Sequence, residues 1–293
     1  MNIDQRHKLA HNLQKAMYRL SWPTIKEEPN YVAHMVKELP AEIKKALEMV
    51  LPVHAIAAGG AFIHQKPLAH FVRIPCPKSP EIGDLLLVCR ETRASGTVYN
   101  ALILQAKCVK NPLDAAVAKS DEHQFILYSE WPEFEYRRAG ILDGQRRDVL
   151  PKTITQGAQY LLIDKNAPEE MLTATVDKSL KGSKRFARLL ASVLSFDMGR
   201  TFDAYPVDGW SRMIVDLLWL TANSVFNRRN AGFFNEKRWN GSDAFDFILN
   251  SGHQNVISDY IDKRVVENDK VKGMGVICID LGSNGQNTEL DKE

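Results

Sequence analysis

The chain has 293 residues, with 38 Lys plus Arg against 36 Asp plus Glu and a formal net charge of +2. Its 44% hydrophobic and 25% charged residues are those of a folded globular protein and exclude a disordered, collagen-like or coiled-coil chain. The near-balance of charge excludes binding to nucleic acid through a bulk field but leaves local patches open, and the length allows one large domain or two modest ones.

Apolar spacing then predicts the elements. Leu9, Leu13, Ala16, Met17 and Leu20 recur at helical intervals ahead of Pro23. A second helix is predicted with Pro40 in its first turn, Leu39, Ile43, Leu47 and Val50 as its buried stripe and Pro52 as its stop. Residues 53 to 80, rich in Gly, Pro, His and Ala, contain one expected strand near Ala69 to Ile74. Leu85 to Cys89 and Val98 to Lys107 read as two buried strands of a hairpin, joined by the polar stretch Glu91 to Gly96. A hairpin centred near Ser95 pairs residue 84 with residue 106, and strand alternation puts Gln105 and Lys107 on one face.

After a polar loop, Asn111 to Glu122, a helix is predicted around His123 to Glu130, followed by an arginine- and aromatic-rich stretch from Trp131 to Arg147. Tyr160 to Ile163 reads as a strand. Helices are predicted near Ser183 to Met198 and Trp210 to Asn227, with shorter amphipathic stretches at Asp243 to Leu249 and Asn255 to Val266. A last strand, Gly275 to Leu281, precedes a polar tail expected to fray. Arg212, Asp216 and Asn223 interrupt the most apolar stretch, and residues 1 to 15 lack the apolar centre of a secretory signal, so the expectation is a cytoplasmic protein with no membrane span. Cys76, Cys89, Cys108 and Cys278 have no paired spacing and read as reduced packing residues. The signatures of a P-loop, a dinucleotide fold and a serine hydrolase do not occur.

One constellation carries chemistry. Glu81-Ile82-Gly83-Asp84 leads into the first hairpin strand and Gln105-Ala106-Lys107 ends the second. These residues resemble the PD-(D/E)xK nuclease superfamily, where a carboxylate on one strand, and an acid or glutamine two residues before a lysine on its partner, form a metal-dependent phosphodiesterase site. The Gln-x-Lys form is similar to that of Mrr-like restriction nucleases. Gly83 stands where the family name has proline. Gln124 and Tyr128 form a Gln-x-x-x-Tyr pattern that resembles the following helix of the RecB-like branch, and the likeness covers roughly residues 38 to 130.

The resemblance implies an α/β fold with a restriction-endonuclease-like core, a mixed central sheet flanked by helices, over residues 1–170. A mainly helical region, 171–293, is expected beyond it, packed on the same core. It implies that Asp84, Gln105 and the carbonyl of Ala106 bind Mg²⁺ or Mn²⁺, since hard cations take oxygen ligands. Lys107 would orient the attacking water or stabilise charge on the phosphoryl oxygens. A second acid is expected on the preceding helix, and Glu42, which borders the apolar stripe, is favoured over Glu48, which lies nearly opposite. Gln124 and Tyr128 share a helix face and could touch the site or the phosphate backbone, and Arg137 and Arg138 are candidate phosphate contacts. The implied partners are nucleic acid, with DNA expected, a motor or sensor subunit, and a second copy of the chain, in a bacterial restriction or antiviral role. The alternative is a catalytically inactive subunit of the same fold that binds nucleic acid or a protein. A third reading makes the C-terminal half a dimerisation or partner surface. Each feature also has a plainer reading, as solvated strand ends, a surface helix residue or a packed loop with charges in water.

Overall fold

The computed structural model describes residues 1–63, 67–76, 78–152, 155–223, 244–249 and 273–284. It is an α/β protein built on an eight-stranded mixed sheet with helices on both faces and a second, three-stranded antiparallel sheet beside it. The helices are α1 (Ile3–Met17), α2 (Glu28–Glu48), α3 (Glu122–Glu130), α4 (Phe186–Leu194), α5 (Gly209–Asn223) and α6 (Ala244–Leu249). The strands are β1 (His54–Ile63), β2 (Leu68–Phe71), β3 (Leu85–Arg93), β4 (Gly96–Val109), β5 (Phe134–Arg137), β6 (Arg146–Arg147), β7 (Ala158–Asp164), β8 (Leu172–Ala174), β9 (Lys184–Arg185), β10 (Arg200–Phe202) and β11 (Met274–Asn284).

The main sheet runs β1-β11-β3-β4-β7-β8-β9, and the small one β2-β5-β6. Strand β3 is antiparallel to β4 and parallel to β11, and β7 lies parallel to β4. At 14 residues, β4 is long enough for β10 to pair with its start, at Tyr99 to Ala101, and β7 with its end, at Ile103 to Val109. Strand alternation divides the sheet into two cores. Leu85, Leu87, Leu102, Leu104 and Ala106 face the core under α1, α2 and α4, whereas Leu86, Val88, Ile103, Tyr160 and Leu162 face the one under α3, α5 and the small sheet.

Several elements differ from expectation. Helix α2 begins at Glu28, with Pro29 in its first turn, so Pro40 lies inside it. An interior proline has no N–H for the carbonyl four residues back, and that carbonyl, of Val36, is covered closely by β1. A Cβ added at Gly60 would sit 2.1 Å from the Val36 oxygen. Strand β1 was hidden by its many small residues, since Ile56 is the one β-branched side chain in His-Ala-Ile-Ala-Ala-Gly-Gly-Ala. The strand expected at Ala69 to Ile74 is the shorter β2, and the helix expected from Ser183 is preceded by the two residues of β9. Beyond residue 170 the chain contributes β8, β9, β10 and β11 as well as helices, and β11 pairs with both β1 and β3 inside the main sheet. The expected helix at Asn255 to Val266 and the tail beyond residue 284 lie outside the described residues, and β11 runs past its expected end at Leu281 to Asn284. Among the described residues no helix is long and apolar enough to cross a membrane.

The hairpin register is one residue tighter than its expected centre. Leu85 pairs with Leu104 and Arg93 with Gly96, leaving Ala94-Ser95 as a two-residue turn, and Gly96 takes a φ of +122° that an L side chain rarely adopts. This matters because a slip of one residue exchanges the faces of a strand. A pairing of 84 with 106 would set Asp84 across from Ala106 and away from the face that carries Gln105 and Lys107.

Candidate active site

The site forms where β4 outruns β3. Pairing with β3 stops at Leu104, but β4 continues to Val109. In an antiparallel ladder alternate residues point both N–H and C=O toward the partner strand, so Ala106 and Cys108 present theirs to an edge that β3 no longer covers. Two carboxylates take the place of that strand. The N–H of Ala106 donates to Asp84 Oδ2 at 2.8 Å, and the N–H of Cys108 donates to Glu28 Oε1 at 2.8 Å. The two anchoring amides are two residues apart, about 6.6 Å along a strand, and the carbonyl of Ala106 leaves the same edge between them.

Asp84 is held from several directions. Its N–H donates to the carbonyl of Leu104 at 2.9 Å, and the Gln105 Nε2 donates to the Oδ2 that also receives the Ala106 N–H. Only 3% of Asp84 and 2% of Gln105 is exposed, and such buried groups require partners. The preceding turn is just as constrained. Tyr128, fully buried, donates its hydroxyl to the carbonyl of Ile82 at 2.8 Å. A Cβ at Gly83 would lie 2.4 Å from Ile103 Cγ2 and 3.3 Å from the Tyr128 hydroxyl, which explains glycine at this place. Tyr128 thus fixes the backbone that delivers Asp84.

Lys107 projects on the Gln105 side of β4, and its Nζ donates to Asp121 Oδ2 at 2.8 Å. Glu28 feels this surrounding. Burial raises its pKa above the usual carboxylate range, the hydrogen bond from Cys108 and the charge of Lys107 lower it, and Asp84 and Asp121 raise it again. Burial, with Glu28 nearby, also pushes the Cys108 thiol up to about 11, so it stays protonated and unreactive at neutral pH.

The structure therefore brings together Asp84, Gln105, Ala106 and Lys107 as the sequence suggested, and adds Glu28 and Asp121. Glu42 is elsewhere. It lies 14 residues further along α2, about 21 Å at 1.5 Å per residue, and is engaged by Lys45 at 2.6 Å and Arg19 at 3.3 Å. The helix acid beside the hairpin is Glu28, one residue before Pro29. That Glu-Pro pair is a legible start signal for a helix, but it was outweighed by the stronger stripe that begins at Leu39. Asp121 had no sequence signal, since only the fold relates it to Lys107.

Gln124 is buried, and its Oε1 has no hydrogen-bond partner among the described residues. Arg137 and Arg138 lie at the end of β5 on the small sheet, where Arg137 pairs with Glu135 at 2.8 Å and Arg138 is exposed with a φ of +55°. Much of the arginine and aromatic stretch is structural. Trp131, Phe134 and Tyr136 are buried, and Arg147 forks onto Asp216 of α5 at 2.6 and 3.0 Å.

The donor set suits a hard divalent cation. The carboxylates of Asp84 and Glu28, the carbonyl of Ala106 and the Oε1 of Gln105 are all oxygens. That Oε1 is buried without a hydrogen-bond partner among the described residues, which a cation would satisfy. Among the described residues no three His, Cys, Asp or Glu side chains gather as a metal cluster. Two carboxylates fit the manner of Mg²⁺, which is commonly held by one or two protein acids together with substrate phosphates and water. No family model, curated protein or solved structure matches the chain significantly.

Proposed function

We propose that the chain is a metal-dependent nuclease, hydrolysing phosphodiester bonds of nucleic acid, with DNA the expected substrate and a restriction-endonuclease-like core. The observation that carries this reading is the strand edge at Ala106 and Cys108, where Asp84 and Glu28 sit on successive outward amides beside Gln105 and Lys107. The order of elements supports it, with an acid-bearing helix α2, the β3–β4 hairpin, helix α3, and β7 returning parallel beside β4.

In this reading Asp84, Glu28, the Ala106 carbonyl and Gln105 Oε1 would hold Mg²⁺ or Mn²⁺. The cation supplies a lowered pKa for bound water and a counter-charge for the phosphoryl oxygens. Gln105, through its Nε2, orients the Asp84 carboxylate. The Lys107 ammonium donates to the attacking water or to a non-bridging oxygen, where it stabilises charge that grows in the transition state. Gln124, one helical turn before Tyr128, is buried with its Oε1 left to offer a ligand. Arg137 and Arg138 are proposed as outer phosphate contacts. By the same resemblance we propose a role in bacterial restriction or antiviral defence, working with a motor or sensor subunit or a second copy of itself.

One observation favours the inactive-subunit reading instead, namely that the Lys107 ammonium is already engaged by Asp121 while, among the described residues, no three His, Cys, Asp or Glu side chains gather as a metal cluster. Calorimetry with Mn²⁺ separates the two. The nuclease reading predicts a cation site removed by Asp84→Ala and weakened by Glu28→Gln. Heats identical in wild type and Asp84→Ala would leave the binding subunit as the better account.

A further inference from the structure

We propose that Asp121 is the positioning residue for Lys107, holding the ammonium where the scissile phosphate is to bind; this rests on the nuclease reading above. Asp121 stands at the junction between a single 3-10 turn, Lys119–Asp121, and α3, and its carboxylate makes no capping bond to the helix. Its carboxylate goes to Lys107 across 2.8 Å, with 14% of the lysine side chain and 29% of the aspartate side chain exposed. With no bond to the helix, the carboxylate is committed to the strand edge, and the half-buried pair is a feature of the site rather than of the helix.

The need for such a partner follows from the lysine itself. A lysine carries four methylenes and a rotatable ammonium, so its charge has no fixed position unless something fixes it. Lys107 sits one residue beyond Ala106 on the part of β4 that β3 does not cover. The direction of its ammonium is therefore set by Asp121 from the start of α3. An ammonium has three donors. One on Asp121 leaves two for water or phosphoryl oxygen, so the pair can persist when substrate binds. Pre-positioning of this kind acts on the chemical step more than on affinity.

The test is single-turnover cleavage at saturating protein, with Mg²⁺ and a duplex DNA substrate. It compares wild type, Asp121→Asn, Asp121→Glu, Lys107→Ala and the double variant Asp121→Asn with Lys107→Ala, with DNA affinity measured alongside. Asp121→Asn is expected to melt within a few degrees of wild type and to bind DNA as tightly, but to cleave on the order of tenfold more slowly. Asp121→Glu should recover part of that loss, and the double variant should be no slower than Lys107→Ala alone, because the aspartate acts only through the lysine. Wild-type rates in Asp121→Asn, a loss confined to affinity, or full additivity in the double variant would each overturn the proposal while leaving the nuclease reading in place. A wild-type chain that cuts neither duplex DNA, single-stranded DNA nor RNA, with Mg²⁺ or with Mn²⁺, overturns both.

Discussion

At the level of single residues, the site is a problem of satisfying backbone amides that a strand no longer covers. Asp84 and Glu28 do so with charged oxygens, and the same charge is what a cation needs. Asp84→Ala and Lys107→Ala should each reduce cleavage on the order of a hundredfold or more, read in a plasmid-nicking assay, with unchanged circular dichroism. Glu28 adds a dependence on pH. Burial raises its pKa in the folded chain, so the folded state holds its proton more tightly than the unfolded state does. The fold is therefore relatively stabilised below the ordinary carboxylate pKa, and that contribution is lost as pH rises through the raised folded value. Glu28→Gln keeps an acceptor for the Cys108 amide without the charge. It should melt higher than wild type at neutral pH, and the difference should shrink in acid. A variant less stable than wild type at pH 7 and equally so at pH 4 would contradict the burial argument. Asp84 and the Gln-x-Lys run were legible because their chemistry sits in one short pattern. Glu28 and Asp121 were not, since each reaches the strand from a helix start whose direction only packing determines.

At the level of elements, legibility followed apolar signal strength. The buried runs Leu85 to Cys89 and Ala101 to Leu104 were readable as strands, whereas β1, with Ala or Gly at six of its ten positions, was not. Its glycines reflect close packing. Gly60→Ala would force a Cβ against the Val36 carbonyl and should cost about 1–3 kcal/mol, seen as a lowered denaturation midpoint. No change would mean that α2 does not press on β1 as described. The small sheet is tied to α5 by Arg147 and Asp216, with the Tyr136 hydroxyl donating to the same carboxylate at 3.0 Å. With both charged side chains 14% exposed, Asp216→Ala leaves the guanidinium with the Gln145 side chain and the Arg146 carbonyl as partners and should cost about 1–3 kcal/mol. A loss below about 1 kcal/mol in urea unfolding would show the pair to behave as a surface bridge.

At the level of the whole molecule, the chain closes its sheet with nearly its last described residues. Strand β11 lies between β1 and β3, and Arg90 of β3 forks onto Asp280 of β11 at 2.8 and 2.5 Å. Gly275 also donates its N–H to the carbonyl of Asp84, so the C-terminal strand supports the residue on which the site depends. A chain ending at residue 272 should fail to give a cooperative melt, because removing β11 unpairs β1 and exposes one edge of β3. A cooperative melt near that of the full chain would refute this account of the sheet. Local apolar patterns could place β11 as a strand but not within the sheet, because pairing partners 190 residues apart leave no mark on either segment. The central claim, that Asp84 anchors a metal-dependent phosphodiesterase site, is tested most directly by incubating purified full-length protein and Asp84→Ala with duplex DNA, single-stranded DNA and RNA, each with Mg²⁺, Mn²⁺ or EDTA. The account predicts cleavage by wild type with either cation, none in EDTA and none by Asp84→Ala. Cleavage that survives EDTA or the substitution, or a wild-type chain that leaves every substrate intact, would contradict it.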